Sequence, residues 1–402
     1  MKICILTIGT RGDVQPYIAL GLGMKAAGHE VTIATQGEFR SLVLDRGLIF
    51  DTLRGDFLKA AQEGRVNPIK LVRRYSEMAK ETLEDEWISA QKADVLIYNS
   101  AALGGYHIAE KLGIPAFASF PAPLYSPTRE FPSPFFPFRS LGPFNKLSHH
   151  LFAALGPAIY RRTIREWRRD VLGLPPAKGE DRLNGKPITK LYAYSPALLP
   201  RPADWDGSSV VTGYWFLDTP PDWQPDPALV RFLQEGPPPV YIGFGSMFMN
   251  GGKHKTEIVL EALRLAGQRG VLATGGGVLT SENAPEGVFV LDAVPHDWLF
   301  PQVAAVVHHG GAGTTGAGLR AGKPAVICPF VGDQTFWGHR VASLGAGPLP
   351  IPQRRLTAER LAEAIRSAVV DQRMRERAAA LGETICAEDG VGRAIEVINS
   401  QL

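Results

Sequence analysis

The chain has 402 residues, 45% hydrophobic and 21% charged, with a formal net charge of +3. That length exceeds one ordinary core and points to two domains of soluble, globular composition. The small charge gives no reason to invoke nucleic acid, whose binders usually show a strongly basic face.

Lys2 to Ile8 reads as a buried strand, short, apolar and β-branched. Gly9 to Asp13 reads as a turn. Pro16 to Ala27 reads as a helix stopped by Gly28. Val31 to Ala34 is a second strand, Leu71 to Gln91 a helix, Val95 to Tyr98 a strand, Gly104 to Leu112 a helix and Ala116 to Ser119 a strand. Alternation of this kind predicts a parallel sheet with helices on both faces. From Phe120 to Phe144 the pattern breaks, with seven prolines and six phenylalanines. Proline clashes in helix interiors, and loops this long are often functional. Two readings are open for it: the wall of an acceptor site, or a core plug and domain contact. Asn145 to Val171 reads as helical with a break at Gly156-Pro157, and Leu191 to Tyr194 and Val210 to Thr212 as strands.

Residues 218–239 are proline-rich and read as a linker. A second alternating series follows. Its strands are Val240 to Phe244, Val271 to Thr274, Val288 to Leu291, Ala304 to Val307 and Ala325 to Pro329. Its helices are Thr256 to Gln268, Thr315 to Ala321, Trp337 to Leu344, Thr357 to Val369 and Asp371 to Ala387, with Thr357 as an N-cap. A last helix, Val391 to Ile398, ends the chain. The expected fold is α/β: two doubly wound, Rossmann-like parallel-sheet domains facing one cleft. Residues 1–217 form the first and 240–388 the second, and 389–402 is a tail able to cross back. Ligands in such sheets sit beyond the carboxyl ends of the strands.

His308-His309-Gly310-Gly311-Ala312-Gly313-Thr314-Thr315 lies where a strand breaks into a helix. A helix N-terminus offers unpaired N–H groups and partial positive charge, which suit phosphate oxygens. Gly310, Gly311 and Gly313 allow close backbone approach, and His309, Thr314 and Thr315 add side-chain donors. A diphosphate is the expected occupant. Ser246 follows the first strand of the second half and is a further candidate donor, although an ordinary turn explains it equally well. Asp333 and Gln334 pair an acceptor with a donor, as sugar hydroxyls need, and Asp333 also fits a helix N-cap. Asp13 lies in the first βα turn, where a plain N-cap role competes with one facing the cleft. That turn, Gly9-Thr10-Arg11-Gly12, lacks the GxGxxG spacing of a dinucleotide site, which argues against a nicotinamide cofactor.

Arg161, Arg162, Arg165, Arg168 and Arg169 form a basic face opposite Tyr160, Ile164, Trp167 and Val171. Such a helix either lies on a membrane surface or is simply solvated, with its apolar stripe in the core, and the second is the commoner case. Peripheral membrane contact therefore stays open, while no apolar run reaches the roughly 18 residues of a spanning helix. Cys4, Cys328 and Cys386 make no CxxC pair. The start of the chain lacks a signal-peptide pattern, so a reduced, cytoplasmic setting is expected.

With these residues on the page the chain resembles the GT-B UDP-glycosyltransferase superfamily (glycosyltransferase family 1). Within it, the likeness is to the sterol 3β-glucosyltransferase branch and its bacterial natural-product relatives. The segments that carry it are residues 9–16, 241–247, 294–300, 308–315, 318–324 and 329–338. The resemblance implies inverting transfer of a hexose from a UDP-sugar to a hydrophobic acceptor, with the donor as co-substrate and no metal ion or separate cofactor. It places His309, Gly311, Thr314, Thr315 and Ser246 on the diphosphate, Asp333 and Gln334 on the sugar and the Val294 backbone on uracil. Asp13 stands where plant and animal enzymes carry a catalytic histidine. Two positions depart from the plant pattern: Ala293 stands for the uracil-stacking Trp, with Trp298 a candidate substitute, and Ala317 for the ribose-binding Glu. The alternatives are antibiotic or polyketide tailoring with a dTDP- or UDP-sugar, a UDP-sugar epimerase or a phosphorylase of the same architecture, and a non-catalytic sugar-nucleotide binder.

Overall fold

The short apolar runs become parallel strands and the amphipathic stretches cover them. The computed structural model describes residues 1–55, 68–155, 160–177, 179–244, 252–273 and 284–402. In the first half the strands are β1 (Lys2–Leu6), β2 (Glu30–Thr35), β3 (Ile49–Thr52), β4 (Val95–Tyr98), β5 (Ala116–Phe120), β6 (Thr189–Tyr192) and β7 (Ser209–Val211). They form one seven-stranded sheet in the order β3-β2-β1-β4-β5-β6-β7, parallel at every pairing. Its helices are α1 (Arg11–Ala26), α2 (Arg40–Leu44), α3 (Pro68–Ala90), α4 (Gly105–Leu112), α5 (Asn145–Leu155) and α6 (Arg161–Asp170).

The second half repeats the plan with β8 (Val240–Gly243), β9 (Gly270–Ala273), β10 (Val288–Leu291), β11 (Ala305–His308) and β12 (Ala325–Ile327). Their order is β10-β9-β8-β11-β12, again all parallel. The helices are α7 (Pro227–Gln234), α8 (Gly252–Ala266), α9 (His296–Leu299), α10 (Ala312–Arg320), α11 (Gln334–Ser343), α12 (Ala358–Val370), α13 (Gln372–Cys386) and α14 (Gly390–Asn399). Thr357 caps α12 by accepting from the Arg360 N–H. Strand order reverses between β1 and β4 and between β8 and β11, so each sheet has one topological switch point.

The cores follow the burial pattern. Ile3, Ile5, Ile18 and Leu20 pack with Ala394, Val397 and Ile398, so α14 is seated on α1 and completes the first core. Cys4, Leu6, Leu83 and Trp167 fill the other face of that sheet. Val240, Ile242, Val307 and Ile365 make the core of the second sheet under α8 and α12. A further cluster joins the two halves: Tyr194 and Tyr214 pack with Leu319 and Trp337, the Tyr194 and Trp337 rings 5.5 Å apart.

Three local differences from the sequence reading have physical causes. Helix α1 starts at Arg11 rather than Pro16, because Thr10 and Asp13 form a capping box that opens it earlier and leaves Pro16 inside. Helix α10 starts at Ala312 rather than Thr315, so Thr314 belongs to its first turn rather than preceding it. Strand β3 is unheralded, since Ile49-Phe50-Asp51-Thr52 is four residues long and half polar.

Candidate active site

The loop after β1 is held by side-chain amides. Gln36 donates from Nε2 to the Gly9 carbonyl (3.2 Å) and accepts from the Gly9 N–H (3.3 Å). Asn99, at the end of β4, donates to Thr7 Oγ1 (3.1 Å) and to the Ile8 carbonyl (2.8 Å). Thr7 Oγ1 in turn donates to the Asp13 carbonyl at 2.7 Å. Gly9 has φ +144°, and a Cβ there would run into the Asp13 carboxylate. This packing sets Asp13 at the third position of α1. Its Oδ2 accepts from the Thr10 N–H and from the Thr10 hydroxyl, both at 2.8 Å. Thr10, not Asp13, is the N-cap. Among the described residues Asp13 Oδ1 has no partner. Burial raises the Asp13 pKa above the usual carboxylate range, against the lowering effect of the two Thr10 donors.

Across the cleft, β11 ends at His308, whose Nδ1 accepts from the Gly310 N–H (3.0 Å) and tightens the turn. Gly310 takes φ +93°. Gly311 is the N-cap of α10, and a Cβ there would sit 2.5 Å from His309 Nε2. Thr315 is the first residue of the turn to bond back, its N–H and hydroxyl both reaching the Gly311 carbonyl at 2.9 Å. The amides of Ala312, Gly313 and Thr314 therefore have no acceptor within the helix. Among the described residues nothing lies within 4 Å of a Cβ placed on Gly313. The Thr315 side chain is fully buried and braces the turn, so the cradle of donors is built from those three amides, the Thr314 hydroxyl and His309. Among the described residues His309 Nδ1 is buried without a partner, and burial lowers its pKa to about 4, so the ring is neutral at pH 7.

Arg11, quoted in the sequence motif without a role, belongs to this neighbourhood. The His296 pKa is lowered to about 4 by burial, then by the Arg11 charge, with His309 adding a smaller push. The charge of this first-half guanidinium thus reaches His296 of the second half. The only sequence signal for it is its place in the first βα turn. Val294 is half-buried beside the Leu299–Phe300 cluster, ahead of α9. Trp298 packs edge-on to Trp223, ring centroids 5.3 Å apart. Ser246 lies outside the described residues.

Asp333 is the N-cap residue of α11, but its side chain does not cap: Oδ2 accepts from the Trp337 indole N–H at 2.8 Å. Burial raises its pKa to about 6, the Trp337 donor opposes this, and the nearby Asp13 charge raises it further. Gln334 Oε1 accepts from the N–H groups of Phe330 (2.7 Å) and Val331 (3.2 Å), so its carbonyl holds the loop before α11.

One cavity of about 190 Å³ brings Asp13 and Asp333 together. Tyr17, Asn99, Ser100, Phe120, Tyr125 and Trp215 complete much of its lining. Tyr17 OH donates to the Ser119 carbonyl (3.0 Å), and its ring meets Trp215 edge-on. Tyr125 stacks on Phe120 with centroids 4.3 Å apart. The proline- and phenylalanine-rich stretch therefore divides. Phe120 to Tyr125 lines the cavity, whereas Phe131 meets Phe336 of the second half at 5.3 Å and Phe135, Phe138 and Phe144 are exposed. The basic helix α6 buries Thr163, Trp167 and also Arg168, which donates to His107 Nδ1 (2.9 Å) and pairs with Glu110 (2.7 Å). Among the described residues no group of three or more His, Cys, Asp or Glu side chains is placed to hold a metal ion, and no helix is long and apolar enough to cross a membrane.

Comparison with known proteins fits this architecture. Residues 3–129 match the glycosyltransferase family 28 N-terminal domain, and residues 274–396 match the erythromycin biosynthesis protein CIII-like C-terminal domain. A sterol 3-beta-glucosyltransferase of Arabidopsis thaliana is 37% identical over 423 residues, covering all of this chain and 68% of that protein. The chain belongs to the family of the sterol 3-beta-glucosyltransferases. The family member of Cryptococcus neoformans is 38% identical over 435 residues, again across the whole chain. The chain spans only 27% of that protein's length. Among solved structures, the glycotransferase of kitacinnamycin superposes with a TM-score of 0.75 at 22% identity, covering 100% of this chain and 98% of that one. The shared fold is GT-B, two facing Rossmann-like domains.

Proposed function

We propose that this glycosyltransferase moves a hexose from a nucleotide-diphosphate sugar, UDP-glucose by family resemblance, to a hydroxyl of a hydrophobic acceptor such as a sterol. The observation that carries the reading is one cavity lined by both Asp13 and Asp333. The diphosphate would occupy the N-terminus of α10, with the amides of Ala312, Gly313 and Thr314 and the neutral His309 ring as donors. Ser246 and the Thr315 turn belong to the same donor half, and the Val294 backbone to the base. Asp333 and Gln334 would meet the sugar hydroxyls.

In the chemical step the acceptor O–H proton passes to Asp13 Oδ1. The acceptor oxygen forms its bond to the anomeric carbon while the bond from that carbon to the diphosphate oxygen breaks. The electron pair leaves with the diphosphate. Attack from the face opposite the leaving group inverts the anomeric centre. Oδ2 is occupied by Thr10, which leaves Oδ1 as the proton acceptor. General-base help of this kind is typically worth about 10²–10⁴ in rate. Donors aimed at the departing diphosphate stabilise the charge that develops there.

A second reading, tailoring of a polyketide or peptide with a dTDP-sugar, is favoured by the match of residues 274–396 to an antibiotic-biosynthesis domain. Incubation with UDP-glucose or a dTDP-sugar and a panel of sterols, flavonoids and macrolides, followed by mass analysis, tests both. A gain of one hexose on a sterol supports the first reading. Sugar transfer confined to macrolides supports the second, and release of free sugar with no acceptor modified overturns both.

A further inference from the structure

Asp333 begins α11 but does not cap it. A capping residue normally takes an extended backbone and bonds the amides of the first turn. Asp333 has φ −73° and ψ −5°, and its Oδ2 accepts instead from the indole N–H of Trp337, four residues on, at 2.8 Å. The helix forgoes a stabilising cap, and the carboxylate gains a fixed partner. That partner is the largest fully buried side chain among the described residues.

Packing alone asks for the volume of this ring and not for its N–H. An indole N–H can only donate, and burying it unpaired is costly, so it must find an acceptor. The acceptor here is one of the two carboxylates that line the cavity.

The ring is held from both halves. Tyr194 of the first half meets it edge-on, centroids 5.5 Å apart and planes at 62°. Phe336 meets it at 5.2 Å, and Phe131 of the first half rests on Phe336 at 5.3 Å. Further along α11, Arg340 Nε donates to the Leu198 carbonyl, again of the first half. Gly338 seats the helix closely on its own half, since a Cβ there would lie 2.8 Å from Pro350 Cβ. A free carboxylate side chain samples several rotamers. Bonded through Oδ2 to a ring wedged in this way, Asp333 presents one.

We propose that Trp337 is a positioning residue for the donor sugar. It holds Asp333 in the orientation that receives sugar hydroxyls, and through Tyr194 and Phe336–Phe131 it ties that orientation to the packing of the two halves. The inference rests on the role given to Asp333 in the function proposed above. The diphosphate is assigned to α10, so UDP alone should not sense Trp337.

Calorimetry with UDP and with UDP-glucose separates positioning from packing, with dTDP and dTDP-glucose run in parallel. Trp337→Phe keeps an aromatic ring and loses the N–H. It is expected to bind UDP within about threefold of wild type and UDP-glucose about tenfold or more weakly. The indole donor favours ionised Asp333, so on acidification the variant should lose UDP-glucose at a higher pH than the wild type does. Equal weakening of UDP and UDP-glucose, or wild-type binding of both with the pH midpoint unmoved, would overturn the proposal. Should Trp337→Phe not fold, Tyr194→Leu loosens the same ring from the first half and carries the same selective loss, and unchanged UDP-glucose binding in it counts equally against the proposal. Tyr194→Phe removes only a hydroxyl that has no partner among the described residues, and wild-type values are expected of it. Asp333→Ala shows which reading fails. If it loses UDP-glucose selectively and Trp337→Phe does not, positioning by Trp337 falls and the proposed function stands. If it loses nothing, the sugar role of Asp333 falls and this inference with it.

Discussion

Replacing Asp13 with Asn separates its two jobs. Both protein hydrogen bonds to the side chain end on one oxygen, Oδ2, from the Thr10 N–H and hydroxyl. Asparagine keeps one oxygen and can accept both, so the start of α1 survives and the stability change should stay within about 1 kcal/mol. The other position becomes an amide nitrogen, which takes no proton. Loss of the base should lower kcat about 10²–10⁴-fold, a barrier increase of roughly 3–5 kcal/mol. Binding of UDP, which the proposed function assigns to the second half, should be nearly unchanged. Asp13→Ala should match that loss of rate and in addition lose about 1 kcal/mol of stability, because the capping box goes with it. Rate against pH provides the second arm. Asp13 must be ionised to act, and burial places its pKa above the ordinary carboxylate range, so wild-type rate should fall on acidification with a midpoint above that range. The two Thr10 donors favour the ionised form, so Thr10→Val should raise the Asp13 pKa and move the acid limb to higher pH. An Asp13→Asn enzyme within about tenfold of wild-type turnover, or one that keeps the acid limb, would refute the assignment of the base.

Three further outcomes are expected. His309→Ala should weaken UDP binding by about 10–100-fold, in line with roughly 1.5–3 kcal/mol for a hydrogen bond to a charged group; since its pKa lies near 4, wild-type affinity should show no His309 titration between pH 6 and 8 by calorimetry. Gly9→Ala forces a Cβ into the Asp13 carboxylate at φ +144°, so turnover should fall toward the Asp13→Asn level while UDP affinity holds, and wild-type turnover would refute the positioning argument. Glu86 is fully buried, accepts from the Gly104 N–H at 2.6 Å, and burial raises its pKa from 4.5 to about 8. A carboxyl whose folded pKa is raised makes stability fall as pH rises between the unfolded and folded values. Glu86→Gln should therefore gain on the wild type by roughly 1 kcal/mol per pH unit from about pH 5 to 8 and no more above that, and a constant gap in denaturation midpoints would refute the raised pKa.

The parallel sheets were legible because their strands are short unbroken apolar runs, and the glycine-histidine-threonine loop because donors and glycines cluster at a strand end. What escaped was anything set by a hydrogen bond rather than by periodicity. Thr10 and Asp13 look like a turn before Pro16, yet their reciprocal capping starts the helix earlier and carries Asp13 to its third position. Thr315 reads as a ligand donor, but an i−4 bond to Gly311 takes its hydroxyl inward. Asp333 reads as an N-cap, while the side chain bonds Trp337 one turn on. Arg11 had no partner in sequence, because the His296 that its charge reaches lies in the other half of the chain. Helix α5 misleads for the opposite reason: its periodicity is genuine, but the face that enters the protein is the polar one, with Asn145, Ser148 and His149 buried.

The placement of Asp13 anchors one carboxylate oxygen and leaves the other open for the base role proposed for it. A group at the third position of a helix feels the positive end of the backbone dipole and two charge-assisted donors, all of which favour the anion and would make a weak base. Removal from water acts the other way and is the largest influence here, so the net shift is upward. Asp333 on the facing wall is raised as well, to about 6, partly by the Asp13 charge itself. Two like charges on one small cavity are costly while it holds only water. On the proposed function the arrangement would become favourable when a neutral, hydroxyl-rich hexose lay between them, donating to Asp333 and exposing its anomeric carbon to an acceptor whose proton Asp13 would take. On this argument donor binding should strengthen the case for ionised Asp333: with a UDP-sugar bound its pKa should drop below about 6, because sugar hydroxyls add donors to the anion. Proton release on binding near pH 6, read as a buffer-dependent heat in calorimetry, would follow. Binding of the UDP-sugar that takes up protons at that pH, or exchanges none, would show that Asp333 does not receive the sugar.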